Sequence, residues 1–201
     1  CSNSCNFNIV VNGLPIVSCG QCNLGPYCVS QTTTFALNCG TPAGGVYTGS
    51  GVSFVSGVYY FTPSVAGSGT KQITYTYTDG NGCSNSCNFN IVVNGLPNVS
   101  CGQCNLGPYC VSQTSPVALT CGTPTGGVYT GSGVSFISGV YYFTPSVAGV
   151  GTKQITYTYT DGNGCSNSCN FNIVVNALPT VSCANCNLGP YCVSQTTPFA
   201  L

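Results

Sequence analysis

Ile73-Thr74-Tyr75-Thr76-Tyr77-Thr78 runs into Asp79-Gly80-Asn81-Gly82, and Cys83-Ser84-Asn85-Ser86-Cys87-Asn88-Phe89-Asn90-Ile91-Val92-Val93 follows at once. In the first stretch large apolar residues alternate with threonine, the period-two pattern of a half-buried strand. The second stretch reads as a hairpin turn, whose Gly and Asn accept positive φ. In the third, Cys87, Phe89, Ile91 and Val93 share one face, with Asn88 and Asn90 on the other. The three together specify two long antiparallel strands with one buried face. Working outward, Phe35, Leu37 and Cys39 alternate in the same way. Gly44-Gly45-Val46-Tyr47 and Gly57-Val58-Tyr59-Tyr60-Phe61 give further short strands, set apart by clusters such as Thr48-Gly49-Ser50-Gly51. No stretch carries a helical period. Many short strands with regular turn signals specify an all-β sandwich, with a barrel as the alternative.

The hairpin recurs. Cys1-Ser2-Asn3-Ser4-Cys5, Cys83-Ser84-Asn85-Ser86-Cys87 and Cys165-Ser166-Asn167-Ser168-Cys169 are spaced by 82 residues (83−1 and 165−83). Residues 1–82 and 83–164 differ at eight positions, among them Ile16/Asn98, Thr34/Pro116 and Ser68/Val150. A unit of this length is a small domain and too long for a solenoid coil. Copies this similar point to one shared mechanical role, since distinct binding sites require divergence. The boundary is expected at Gly13-Leu14-Pro15, repeated as Gly95-Leu96-Pro97 and Ala177-Leu178-Pro179, where proline ends strand pairing. Complete domains then cover 16–97 and 98–179. Residues 1–15 are expected to be the last strand of a preceding repeat and 180–201 the first strands of a following one, so the chain is expected to be a segment of a longer protein.

Charge is almost absent: Lys71, Lys153, Asp79 and Asp161 make up the whole inventory, 2% of the chain, with no Glu, Arg or His. Nucleic acid is excluded as a partner, because no basic stripe exists to neutralise phosphates. Acid–base and nucleophilic catalysis lack the groups they need, so no enzyme is expected, and no cofactor. A neutral surface suits an assembly better than free solution. No apolar run approaches the length of a membrane span. Cysteine is the other outlier, 17 in 201 residues, with six in each full period. An even number per unit without histidine indicates disulfides and an oxidising compartment, hence an extracellular or cell-surface protein.

Gly-Gly-Val-Tyr-Thr-Gly-Ser-Gly-Val-Ser (44–53), Phe-Thr-Pro-Ser-Val-Ala-Gly (61–67) and Gly-Thr-Lys-Gln-Ile-Thr-Tyr-Thr-Tyr-Thr-Asp-Gly-Asn-Gly-Cys (69–83) resemble the immunoglobulin-like repeats of Bacteroidota surface proteins. These include the large adhesins of gliding bacteria exported by the type IX system. The resemblance spans each whole repeat and implies a seven-stranded sandwich, secretion, and a role in adhesion or fibre building. It carries no catalytic residues. The cysteine content is higher than in a typical member.

Cys19-x-x-Cys22 with Cys28 and Cys39 also fits a thiolate metal knuckle or a redox pair. Both readings leave Cys83 and Cys87 unexplained, and three disulfides per repeat is the simpler account. Cys39 and Cys87 lie at inward positions and meet across the core if their strands belong to opposite sheets, giving Cys39–Cys87 and, in the second repeat, Cys121–Cys169. The resemblance implies Cys28–Cys83 and Cys110–Cys165. Cys19–Cys22 and Cys101–Cys104 then remain. This assignment asks Cys28 and Cys39, 11 residues apart, to reach the same end of the domain, with Ser30-Gln31-Thr32-Thr33 as the turn.

The tyrosines Tyr27, Tyr47, Tyr59, Tyr60, Tyr75 and Tyr77 read mainly as core, with a tyrosine corner in the Tyr75–Asp79 strand, against a sugar-binding platform. Of Tyr59 and Tyr60 only one can point inward. Lys71 with Asp79 is a poor isopeptide pair, one carboxylate is too few for calcium, and Asn98-Val99-Ser100 matches a glycosylation acceptor absent from the equivalent Ile16 and Thr180. The expected function is a structural stalk or filament, with neighbouring repeats or identical chains as partners. A ligand-binding adhesion module recognising a glycan or surface is the alternative.

Overall fold

The computed structural model describes residues 1–182 and Ser194. Each repeat folds as two facing sheets. In the first, β1 (Tyr27–Cys28), β2 (Phe35–Leu37), β3 (Val46–Thr48), β4 (Val52–Val55) and β5 (Val58–Phe61) precede a single helical turn, α1 (Pro63–Ala66); the long strands β6 (Gly69–Thr78) and β7 (Ser84–Asn94) follow. The sheets run β1-β7-β6-β3 and β2-β5-β4. The second repeat repeats this with β8 (Tyr109–Cys110), β9 (Val117–Ala118), β10 (Val128–Thr130), β11 (Val134–Ile137), β12 (Val140–Phe143), α2 (Pro145–Ala148), β13 (Gly151–Thr160) and β14 (Ser166–Asn176). Its sheets run β10-β13-β14-β8 and β11-β12-β9. Strands two, four and five in one sheet facing three, six and seven in the other is the immunoglobulin-like arrangement. The described residues therefore form two tandem immunoglobulin-like β-sandwiches.

The hairpin that reveals the fold in sequence is its longest ladder. β6 and β7 pair antiparallel from Gly69↔Val93 to Thr78↔Ser84. Ile73 and Tyr75 on β6, and Ile91 and Val93 on β7, are buried, while Asn88 and Asn90 are exposed, as alternation requires. The Asp79 carboxylate closes the turn by accepting from the N–H groups of Asn81 and Cys83, both at 2.9 Å. Of the turn residues, Gly82 carries the positive φ, 81°. The helical turn is invisible to periodicity because it is four residues long; Pro63 starts it and Gly67, at φ 78°, ends it.

The core of the first domain is Leu37, Tyr47, Phe61, Ala66, Ile73, Tyr75, Ile91 and Val93; the second repeats it with Leu119, Tyr129, Phe143, Ala148, Ile155, Tyr157, Ile173 and Val175. Each large side chain removed from water contributes about 1.5–3 kcal/mol. Tyr75 adds direction to this. Its hydroxyl donates to the carbonyl of Pro42 and accepts from the N–H of Gly45 at 2.8 Å. The bonds tie the loop after β2 to the centre of β6. A tyrosine corner bonds to backbone only a few residues upstream, so this link, spanning 33 residues, corrects that reading. Gly40 lies against the Tyr75 ring so closely that a Cβ would sit 2.5 Å from a ring carbon.

Residues 1–16 form no strand, and Phe7, Ile9 and Val11 are 79%, 75% and 87% exposed. Their sequence matches β7, but a strand exists through its ladder, and no counterpart of β6 lies beside them among the described residues. Apart from Thr180, Val181, Ser182 and Ser194, the segment 180–201 expected to begin another repeat lies outside the described residues.

The double variant Tyr75→Phe/Tyr157→Phe keeps both rings and deletes both hydroxyl links. It is expected to destabilise each domain by about 1–3 kcal/mol, the cost of unpairing buried polar groups. Calorimetry checks this: the melting transition should fall by several degrees, at roughly 4–8 °C per kcal/mol for domains of this size.

Candidate functional site

The cysteines, on which the sequence reading placed its site residues, pair differently from that reading. The bonds are Cys19–Cys87, Cys22–Cys39, Cys28–Cys165, Cys101–Cys169 and Cys104–Cys121. Cys39–Cys87 and Cys121–Cys169 are replaced because the segment before β1 takes both partners. β1 runs parallel to β7, with Tyr27 opposite Val93, so the chain leading into it passes the start of β7 and brings Cys19 to Cys87. Cys19–Cys22 and Cys101–Cys104 do not form. The N–H of Cys22 donates to the Cys19 carbonyl in a tight turn, and the Ser18–Thr41 bridge lays this turn beside Cys39. Cys22 and Cys39 then lie 5.1 Å apart between Cα atoms, inside the range a disulfide needs.

Cys28–Cys83 and Cys110–Cys165 are corrected for a stronger reason. Cys28 stands opposite Asn94 at the end of β7, whereas Cys83 comes just before its start. The 11 residues of β7 extend roughly 37 Å at the usual rise. No turn within one domain bridges that gap. The end that carries Cys28 is, however, the end from which the chain leaves for the second domain. There Cys165, closing the Asp161–Cys165 hairpin, meets it at a Cα separation of 5.5 Å. The one hint of this bond in the sequence was the demand that Cys28 and Cys39, 11 residues apart, reach the same end of one domain, which the turn at Ser30-Gln31-Thr32-Thr33 was expected to meet.

The junction has two further supports. The side-chain amide of Asn167 donates to the carbonyl of Pro97 in the linker at 3.0 Å. The carboxylate of Asp161 accepts from the N–H groups of Asn163 and Cys165, each at 2.9 Å, which fixes the hairpin that presents Cys165. Cys165 is 1% exposed. Asp161 and Asp79 thus serve as turn caps. Lys71 sits at the opposite end of β6 from Asp79, so the two cannot form an isopeptide bond.

Each domain also has an open cleft, about 410 Å³ in the first and 380 Å³ in the second. Tyr47, Phe54, Tyr59 and Tyr75 line the first; Tyr129, Phe136, Tyr141 and Tyr157 line the second. Tyr59 is the inward member of its pair, with ring centroids 5.6 Å from Tyr47 and 4.5 Å from Phe54. Tyr60, opposite Ala36 and Ser53, is on the other face of β5. Burial holds the Tyr47, Tyr129 and Tyr27 phenols above their ordinary value of 10.0.

Five disulfides among the described residues place the protein in an oxidising compartment, and it is extracellular or secreted. No helix among the described residues is long and apolar enough to cross a membrane. No protein-family model matches the sequence. The chain is similar to hyalin of Strongylocentrotus purpuratus, 31% identical over 136 residues; the match covers 58% of this chain and spans 10% of hyalin's length. Among solved structures, extracellular domains 3–5 of Drosophila OTK align with a TM-score of 0.32 and 14% identity, over 75% of this chain and 58% of that one. A structural likeness of that size carries no argument about function.

Peptic mapping of the thiol-blocked, unreduced protein should yield a linked pair containing Cys28 and Cys165. A Cys28–Cys83 or Cys110–Cys165 pair would contradict the junction. Cys28→Ser should free one further thiol, Cys165, for alkylation.

The tyrosines make stability sensitive to alkali. A raised phenol pKa means that the folded state holds its proton more tightly than the unfolded chain. That stabilisation is complete below about pH 10 and is lost as pH rises through the higher folded value. The melting temperature should stay level from about pH 5 to 9 and fall beyond pH 10, as a pH series of thermal melts would show.

Proposed function

We propose that the protein is a structural element of the cell exterior, a rigid repetitive stalk or filament built from immunoglobulin-like domains, and that it is neither an enzyme nor dependent on a cofactor. The observation that carries this reading is the junction. Two domains that are nearly identical in sequence are locked end to start by a disulfide and a side-chain hydrogen bond to the linker. A chain of domains meant to act independently has no use for such a lock. A part that transmits tension or holds a site away from a surface does, because bending at each junction is what softens a string of domains. The near-absence of charge agrees, since such a surface neither repels its own copies nor steers charged ligands. The likeness of motifs 44–53, 61–67 and 69–83 to Bacteroidota surface repeats supports an adhesin stalk exported by the type IX route.

The second reading is a glycan- or surface-binding adhesion module. The repeated tyrosine-lined clefts favour it, since aromatic faces suit stacking against sugar rings. The clefts recur almost unchanged in both domains, which under this reading gives many weak sites along one stalk.

Small-angle scattering and negative-stain averaging separate a stalk from jointed beads. Strands of this length plus a short linker give an axial advance of roughly 35–45 Å per domain. Averages should show domains at that spacing related by one fixed twist. Beads joined at widely scattered angles would contradict the rigid stalk.

A further inference from the structure

The bond between Cys28 and Cys165 has a translational counterpart at each outer end of the two described domains. Moving by one repeat of 82 residues, Cys28 becomes Cys110 and Cys165 becomes Cys83. These two cysteines are unpaired here. Cys83 stands at the start of the first domain and Cys110 at the far end of the second, so each occupies the place in its own domain that its counterpart occupies at the inner junction. We propose that these ends are covalent docking faces for further copies of the same repeat, the Cys110 face of one unit closing a disulfide with the Cys83 face of the next. This rests on the stalk reading and adds its bonding rule: two disulfides lie inside each described domain and one joins the two domains, and the same interdomain bond recurs at each further junction.

The Cys83 face already has the other features of a junction. The Asn85 amide donates to the Pro15 carbonyl at 2.9 Å, as Asn167 does to Pro97. The Asn12 carbonyl lies 4.0 Å from the Cys83 sulfur, and Asn12 is the repeat equivalent of Asn94, the strand neighbour of Cys28. The Asp79 carboxylate presents Cys83 on the same capped hairpin that presents Cys165. What differs is cover: Cys165 is buried in the junction, while Cys83 is partly exposed. Cys110, likewise partly exposed, accepts a hydrogen bond from the Ser112 hydroxyl at 3.2 Å. That bond lowers its thiol pKa and favours the thiolate that exchange requires.

The step needs an oxidant, and a small-molecule disulfide supplies it. The Cys110 thiolate attacks that disulfide, forming a mixed disulfide and releasing one thiol. The Cys83 thiolate of the next copy then attacks the mixed disulfide and releases the second thiol. Two protein thiols together lose two protons and two electrons, and the oxidant's disulfide is reduced to two thiols.

Cys83 and Cys110 lie at opposite outer ends of the two described domains, so in the 201-residue chain a bond between them joins two copies. The test incubates a mixture of nitrogen-15-labelled and unlabelled 201-residue chain in a glutathione redox buffer and maps peptic peptides after thiol blocking. The expected product is a hybrid-mass pair containing Cys83 and Cys110. Cys83→Ser and Cys110→Ser should each lose that pair alone and regain it, stopping at dimers, when the two variants are mixed. Absence of the pair, or Cys83–Cys83 dimers of Cys110→Ser in its place, overturns the proposal. A map that retains Cys28–Cys165 without Cys83–Cys110 removes the docking rule and leaves the stalk; loss of Cys28–Cys165 as well removes both.

Discussion

The ladder between β6 and β7 sets the length of each domain, and with it which cysteines can meet. Ten residue pairs hold it, from Gly69↔Val93 to Thr78↔Ser84. A strand of that length keeps its two ends more than 30 Å apart. Cys83 and Cys28 are thereby assigned to opposite ends of one domain, and the cysteine that Cys28 meets belongs to the domain beyond the linker. The interdomain bond is in this sense a consequence of strand length.

Stabilisation follows the same axis. The apolar side chains of β6 and β7 meet those of β2 and β5 across the sandwich, while Tyr75 fastens the loop after β2 by its hydroxyl. Cys22–Cys39 and Cys19–Cys87 bind the segment before β1 to that loop and to β7. Each closes an unfolded chain into a loop, by 17 and 68 residues, and typically contributes about 2–4 kcal/mol. Almost no electrostatics enters. With one Lys and one Asp per repeat, the carboxylate is used to shape the turn that carries the junction cysteine, so the scarce charge serves assembly geometry.

Much of this was legible in the chain. Alternation in 73–78 and 87–93 gave the strands and their inward faces, Asp79–Gly82 gave the turn, and the 82-residue period gave two equivalent domains. The buried rings were legible too: Tyr47 and Tyr75 are core, and of Tyr59 and Tyr60 one points inward. The one-turn helices were not, because four residues are too few to show a period. The partners of the Tyr75 hydroxyl were not, because they lie 30 and 33 residues away in a loop without regular pattern.

The cysteines mark the division most clearly. By itself the sequence determined that disulfides staple each repeat and that Cys87 faces inward, since count and parity are local properties of the chain. Which cysteine reaches which was decided only by tertiary structure. Parity assigns a residue to a face, but it says nothing about which end of the sheet a second segment approaches, or in which direction. The parallel course of β1 along β7 brought Cys19 to Cys87 and carried Cys28 to the far end, where a second domain was needed to complete the bond.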